Sequence, residues 1–490
     1  MATVTIVGGG MGGLATAIRL AATGHKVQIF EKNAQVGGKL NLMEKEGYRW
    51  DTGPSLITMP FVYDDLFRVA GRDFKDYVEL VPVEPITRYF YPDGAVFDAS
   101  DSLASMTFAI EKLSPPDVAN YYKYMAYSRR LYDLTAEVFL FNGFNNLSDL
   151  RQMRLSNTFK IDPFRTVHQA NTAFFKDKRL VQLFDRYATY NGSSPYRAPA
   201  TLNVIPFVEL GLGGWYVRDG LYKLAQAYLK LAQELGVEVR TGVKVERILT
   251  CNGKASGLRL ESGEEVAAEV VISNADVNYT NRNLLGQKRE GWRKYTGIEP
   301  SCSGFVLFLG LKRQYKQLRH HNILFSHDYQ KEFADIFERK VPPQDPTIYI
   351  CWTGRTDPAH APPGSSNLFV LTNAPYLSEK SDWTPAPVKA YRDLIIGRLQ
   401  ESGLEGLETA IEVERVMTPH DLEQSYNATH GAIYGLSSNN RFSAFLRPPN
   451  RSSKIKGLYY AGGSTHPGGG VPLVTLSAKI VAKLVEQDLK

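Results

Sequence analysis

The 490-residue chain holds only three cysteines, Cys251, Cys302 and Cys351, and they share no paired or metal-like spacing. That excludes a disulfide framework and a zinc ribbon, and the thiols read as buried small hydrophobes of a reducing compartment. Long apolar runs are missing as well. No stretch of roughly 18 apolar residues is present to span a bilayer, because the apolar residues 4 to 24 are broken by glycines and Arg19. No secretory leader pattern precedes the first predicted strand, so the expectation is a soluble or peripheral protein on the cytoplasmic side. Charge of one sign is also scarce. A net charge of +6 is mild for this length; it does not suggest a nucleic-acid partner, yet leaves room for a basic face against anionic lipid. Internal repeats and low-complexity tracts are absent.

What is present is glycine in a specific context. "TVTIVGGGMGGLATAIRL", residues 3 to 20, holds Gly8-x-Gly10-x-x-Gly13 between a β-branched run, Val4 to Val7, and a helical pattern of Leu14, Ala17, Ile18 and Ala21. Strand, glycines and helix in that order predict a dinucleotide turn. Gly8 permits the tight turn, Gly10 lets backbone approach a pyrophosphate, and Gly13 lets the helix pack on the strand. Gly9, Met11 and Gly12 complete the loop, whose helix start offers unpaired N–H groups to an anion. A second predicted strand, Lys26 to Phe30, ends in Glu31 and Lys32, and an acidic residue there suits ribose hydroxyls.

The next stretch, "EKNAQVGGKLNLMEKEGYRWDTGPSLIT", adds Gly37-Gly38-Lys39 and Gly53-Pro54-Ser55. Far downstream, "GLYYAGGSTHPGGGVPLVTLSAKIVAKLV" (457 to 485) runs a strand into glycines and a helix starting near Pro472. With these, the sequence resembles the two-domain FAD enzymes that include amine oxidases and carotenoid desaturases. Three further stretches, at 301 to 326, 418 to 437 and 465 to 472, resemble bacterial-type phytoene desaturases. The stretch at 186 to 209 resembles members acting on late, partly desaturated or hydroxylated carotenoids. The resemblance implies non-covalent FAD, since no cysteine lies near the C-terminal motif. It also implies cofactor contacts from Gly38, Lys39, Gly53, Pro54, Ser55, Val245, Asn274, Ala275, Gly463, His466, Gly470, Val471 and Pro472.

The implied fold class is α/β: a Rossmann-like FAD-binding domain interrupted by a mixed α+β substrate domain with a helical membrane-associating part. Residues 1–70, 205–290 and 430–490 are assigned to the first, and 71–204 and 291–429 to the second. Leu221, Leu224, Tyr228, Leu231 and Leu235 predict one helix face, and strand-like runs at 304 to 311, 347 to 352 and 367 to 373 predict a second sheet.

Carotenoid desaturation withdraws a hydride equivalent to flavin and a proton from the neighbouring carbon, with no polar handle on the substrate. The absence of a Ser-His-Asp set fits that chemistry, and no general base is assigned. His466 is the candidate for proton exit, with His430 and Asp421 behind it. Phe139, Phe141, Phe144, Trp215 and Tyr216 are candidates for an apolar tunnel. Adjacent His320 and His321 are expected to point apart in a strand, so no metal site is assigned. The implied partners are a carotenoid, a membrane surface, and oxygen or a quinone as electron acceptor. Docking is expected from the aromatic and basic stretch of about 121 to 190, with Arg151, Arg154, Lys176, Lys178 and Arg179. A carotenoid terminal oxidase, another FAD amine oxidase, and a non-enzymatic prenyl-lipid carrier of the same fold are the alternatives.

Overall fold

The computed structural model describes residues 1–136, 160–286, 298–440 and 447–490. Phe139, Phe141, Phe144, Arg151 and Arg154 lie outside the described residues. The first sheet has five parallel strands in the order Leu458–Tyr460, Val270–Ser273, Thr3–Val7, Lys26–Glu31 and Glu238–Thr241. The central strand pairs Val4 with Val270 and with Val27. Both faces of such a sheet are covered, so the inner strands Thr3–Val7 and Val270–Ser273 are buried almost throughout, while the edge strand Glu238–Thr241 is partly exposed. Helices Met11–Ala22, Tyr222–Glu234 and Val471–Asp488 cover one face around Ile6, Leu14, Ile18, Ile29, Tyr228 and Val481. The other face carries a three-stranded antiparallel sheet, residues 245–267, packed through Ile248 and Leu258 on Val7, Phe30 and Val271.

The second sheet has seven strands in the order Ile411–Met417, Ser303–Leu311, Ser366–Ala374, Ile348–Cys351, His321–Leu324, Thr87–Phe90 and Val96–Ala99. All neighbours are antiparallel except His321–Leu324 beside Thr87–Phe90. Alternation sets its faces. Phe305, Leu307 and Leu309 pack on helix Pro385–Glu401 through Tyr391, Ile395 and Leu399. Val306 and Phe308 point the other way, toward Tyr48 and Trp50. Gly310 is glycine because a Cβ there would lie 2.8 Å from the Tyr48 ring.

Helices Leu103–Leu113, Val118–Thr135, Val167–Phe174 and Lys178–Asp185 close the far side on an aromatic core. Within it the Tyr124 and Phe184 rings lie 4.5 Å apart, and those of Phe175 and Phe184 stack at 4.7 Å. Local chemistry starts these helices: Thr166 and Gln169 form a capping box, and Asp177 accepts from Arg179 N. Among the described residues, no helix is long and apolar enough to cross a membrane. Cys302 and Cys351 are buried as expected, but Cys251 is exposed. It ends strand Val245–Cys251 at the turn into Lys254–Leu260, where no second layer covers it.

One buried acid gives the fold a pH signature. Glu332 is 1% exposed, and burial pushes its carboxyl up to about 7. Its Oε2 accepts from Ser326 Oγ and Thr347 Oγ1, each at 2.7 Å, while Oε1 has no partner among the described residues. The folded protein therefore keeps a proton that the unfolded chain releases above its ordinary value of 4.5. That stabilisation is complete below the unfolded value and is lost as pH rises to about 7. Glu332→Gln preserves the shape and both accepted bonds. In urea unfolding at pH 5 and pH 7.5, the variant is expected to lose on the order of 1–3 kcal/mol of the wild type's decline.

Candidate functional site

A cavity of about 720 Å³ runs from the carboxyl ends of the parallel strands to the inner face of the seven-stranded sheet. At its first end, the chain leaves strand Thr3–Val7 through Gly8, with φ +95°, and enters helix Met11–Ala22 at Gly10. Gly10 is the N-cap and supplies no side-chain acceptor, so the first N–H groups of the helix stay unpaired at the cavity. Helix Val471–Asp488 starts behind Gly470, also a cap without a side chain; Pro472 has no N–H, so this start offers fewer donors than the first. Two uncapped helix starts thus face one chamber, each favouring an anion.

The remaining turns are tied to the first. Gly37 N donates to Gly9 O at 2.8 Å, and both Gly37 and Gly38 have positive φ. Both oxygens of Glu31 are held by backbone: Oε2 accepts from Gly9 N and Oε1 from Asn33 N, each at 2.8 Å. Asn274 sits between the two glycine turns, and its Nδ2 donates to Ala461 O at 2.9 Å.

Of the residues assigned from sequence, Gly8, Gly10, Met11, Gly12, Glu31, Lys32, Gly38, Lys39, Gly53, Pro54, Ser55, Val245, Asn274, Ala275, Gly463, His466, Gly470, Val471 and Pro472 all line this cavity. Gly9 and Gly13 do not; they act from behind. A Cβ on Gly13 would lie 2.2 Å from Gly8 O, so its absence serves helix–strand packing. At Gly10 and Gly12 a Cβ would first meet the Asn274 side chain, at 2.7 Å in each case. Packing thus demands glycine at Gly13, and at Gly10 and Gly12 any side chain would have to displace Asn274 before a ligand is considered.

The cavity's charges are unusual. Burial lowers the Lys39 ammonium to about 8, against a smaller opposing pull from Asp276. It donates to the Ala432 and Ile433 carbonyls at 3.1 and 2.5 Å. Lys32 donates to Gln424 O at 2.7 Å, and burial lowers it too. Arg447, which sequence reasoning missed, lines the same wall and is lowered by burial to about 10. Its Nη2 donates to Asn191 Oδ1 at 2.8 Å, but Nη1 has no partner among the described residues. Nothing local in "LRPPN" marks it, since its neighbours are remote in sequence.

Toward the second sheet the lining turns apolar, with Ile205, Val208, Ile323, Phe369 and Leu371. A polar group is embedded there: Arg186 pairs with Glu209 at 3.2 Å, with side chains 8% and 1% exposed. Glu209 also accepts from the Tyr187 and Tyr190 hydroxyls. Trp215 and Tyr216 do not line the cavity. They belong to a short strand packed in the core, so the tunnel role fails for them. Asp421 is spent on the capping box of helix Pro419–Tyr426, and His430, at φ +59°, lies in a one-turn helix off the cavity. His466 is on the wall; its backbone N donates to Pro448 O at 3.1 Å.

The expectation that His320 and His321 point apart is overturned. Only His321 belongs to the strand, and the two rings lie 4.4 Å apart. Burial holds both neutral, His320 down to about 3 and His321 well below its ordinary range.

The glycine cradle, the two uncapped helix starts and cations that bond mainly to neutral oxygens suit a diphosphate-bearing cofactor. Joined to an apolar chamber, they define an α/β redox-enzyme fold of the flavoprotein class. The chain belongs to the flavin-containing amine oxidoreductase family, whose model matches residues 11–485. It is 38% identical to a 4,4'-diapolycopene oxygenase of Methylomonas over 99% of this chain and 98% of that one. It is 37% identical to a zeta-carotene-forming phytoene desaturase of Myxococcus xanthus, over 98% of this chain and 93% of that one. Among solved structures, an oxidoreductase from Methanosarcina mazei superposes with a TM-score of 0.65 at 16% identity, covering 99% and 100% of the two chains. A putrescine oxidase variant does so with a TM-score of 0.65 at 14% identity, covering 100% and 98%. These two share the fold.

Glu31→Gln tests the cradle. A glutamine oxygen can serve only one of the two backbone donors, and its NH2 then faces the other. The loss of charge-assisted bonds is on the order of 1–3 kcal/mol, so flavin affinity is expected to fall about tenfold or more. Titration of flavin-stripped protein measures it; unchanged affinity would separate Glu31 from cofactor binding.

Proposed function

We propose that this protein is an FAD-dependent carotenoid oxidoreductase, dehydrogenating or terminally oxidising a long polyene. The observation that carries the reading is the continuity of the glycine cradle with one long apolar chamber. Full-length likeness to enzymes named for carotenoid desaturation and oxygenation supports it. In this reading residues 1–70, 205–290 and 430–490 hold FAD, and 71–204 and 291–429 hold the substrate. Gly10, Met11 and Gly12 would present helix N–H groups to the pyrophosphate, Glu31 would take the ribose hydroxyls, and Val245 would hold the adenine. Gly470, Val471 and Pro472 present the second helix start to the flavin end.

Bound FAD would supply the two-electron acceptor, taking a hydride equivalent from carbon while a proton leaves the neighbouring atom. The chain's own part is orientation and exclusion of water. Ile323, Phe369 and Leu371 confine the polyene, and buried Arg447 and Lys39 place positive charge beside a cofactor that becomes more electron-rich on reduction. His466 stands on the wall as the candidate route for the proton. Oxygen or a quinone would be the electron acceptor for the reduced cofactor. A prenyl-lipid carrier would need neither the intact second glycine turn nor these cations.

Terminal oxidation has its own support. The Arg186–Glu209–Tyr190 group sets hydrogen-bonding side chains in an otherwise apolar wall, where an oxygen-bearing chain end would be received. Expression in bacteria that accumulate defined carotenoid precursors, followed by pigment chromatography and mass spectrometry, separates the outcomes. Desaturation lowers mass by two hydrogens per step, and oxygenation adds oxygen from labelled O2. Unchanged pigments across the panel, with flavin bound, would overturn the reading.

A substrate of this class is insoluble in water and has to be collected from a bilayer. The helical segment, including the stretch around 160 to 190, is the proposed docking face: Phe164 is 59% exposed, and Lys176 and Lys178, further along the same stretch, are open to solvent. Arg179 is committed to Asp177 and Asp93, so it contributes little to lipid. Exposed basic residues contribute about 1 kcal/mol each at an anionic surface. In liposome flotation, binding is expected to need anionic lipid and to drop severalfold in Lys176→Glu/Lys178→Glu. Arg179→Glu would also place a carboxylate against Asp177 and Asp93, so the double variant is the cleaner test.

A further inference from the structure

The flavin reading leaves one buried cluster without a task. His320 precedes strand His321–Leu324, its carbonyl accepts from Trp352 N at 2.8 Å, and its ring lies 4.4 Å from that of His321. His321 lies directly opposite Cys351 in the antiparallel register. One ring nitrogen of each histidine and the Cys351 sulfur all lie within 4.8 Å of one another. The three residues are 4%, 2% and 2% exposed.

The hydrogen bonds around the rings are one-sided. His320 Nδ1 meets Thr356 Oγ1 at 2.6 Å, and His321 Nδ1 meets the Tyr349 hydroxyl at 2.8 Å. The Nε2 of each ring is buried with no partner among the described residues. A ring that donates through Nδ1 leaves a lone pair on Nε2, the arrangement of a metal-ligating histidine fixed by a second contact. Two buried nitrogens without partners in one place call for a common one.

We propose that His320, His321 and Cys351 form a binding site for a borderline-soft divalent cation, zinc foremost, in the wall of the cavity. The donor set decides the class: two imidazoles and a thiolate select zinc or a similar transition ion over magnesium or calcium. Neutral imidazoles are the ligating form, and Cys351 gives up its thiol proton on binding, leaving a site of net charge +1 with zinc. Zinc bonds of about 2.0–2.3 Å hold tetrahedral ligands roughly 3.3–3.7 Å apart, so the 4.8 Å cluster closes by about an ångström of side-chain rotation. His321 and Tyr349 also line the cavity. The ion would therefore clamp strands His321–Leu324 and Ile348–Cys351 beside the substrate chamber, with its fourth position left to water or to a ligand. This site does not depend on which substrate the chamber takes.

Metal analysis of the flavin-loaded protein tests the proposal. After reconstitution with zinc and removal of loose ions by dialysis, about one equivalent per chain is expected. Cys351→Ser and His321→Gln should each lose it while keeping their flavin, which reports an intact fold. X-ray absorption at the zinc edge of the wild type does not rely on any variant folding; it is expected to show one sulfur and two imidazole nitrogens. A protein that retains no metal after zinc and cobalt loading, a metal shell without sulfur, or equal metal in the flavin-loaded variants would each overturn the site.

Discussion

The Asn274 carboxamide, wedged between two glycine turns, is the contact on which the rest of the site depends. Its Nδ2 ties it to Ala461, and Cβ atoms built on Gly10, Gly12 and Gly462 would all fall within 2.7 Å of it. The turns leaving strands Thr3–Val7 and Leu458–Tyr460 close on one side chain between them. Because that packing has no slack, helices Met11–Ala22 and Val471–Asp488 begin at fixed positions with their free N–H groups aimed at one space. Side-chain caps would satisfy those groups locally; glycine caps leave them for a ligand. The sheet supplies rigidity and the missing Cβ atoms supply access.

The other half of the molecule answers a different physical problem. A long hydrocarbon offers nothing to hydrogen-bond, so its position has to be fixed by shape, and shape needs a stiff wall. The seven-stranded sheet provides it: strand Ser303–Leu311 is buried along its whole length, with one face on helix Pro385–Glu401 and the other on Tyr48 and Trp50, where Gly304 and Val306 reach the chamber. Against that background the Arg186–Glu209 pair is costly to bury. The three tyrosine and arginine donors gathered on Glu209 offset the cost and fix a polar point in an apolar wall.

Much of the first half was legible in the sequence, because its signals are local. Strand, glycine spacing and helix occupy 20 consecutive residues, and the C-terminal helix begins at Val471, one residue from the expected Pro472. The three runs read as a second sheet became strands within a residue or two, since strong β-branched and aromatic alternation survives its context. What failed depended on where a strand starts or on which layer covers it. Shifting the strand's start past His320 turned two rings expected to diverge into a facing pair. Trp215 and Tyr216 carry the same residue types as a tunnel lining, and only the packing of their short strand against the core separates the two. Arg447 had no signal at all, because a buried cation is defined by what remote segments fail to offer it.

That last residue shows how the site's electrostatics constrain its occupant. A guanidinium removed from water without a carboxylate is among the least favourable groups a protein interior can hold. Burial weakens the hold of Arg447 on its proton, as it does that of Lys39 on the opposite turn. Arg447 is held by the neutral Asn191 and Leu436 oxygens and has no carboxylate partner among the described residues, and Lys39 donates to two carbonyls with only a smaller pull from Asp276. An anionic or electron-rich ligand entering between them would restore both cations to their ordinary state. The free energy that folding gives up in leaving them unpaired is then recovered on binding. A chamber with uncapped helix starts at one end and stranded cations along its side is built to be completed by negative charge, and a diphosphate joined to a reducible ring supplies it at both places.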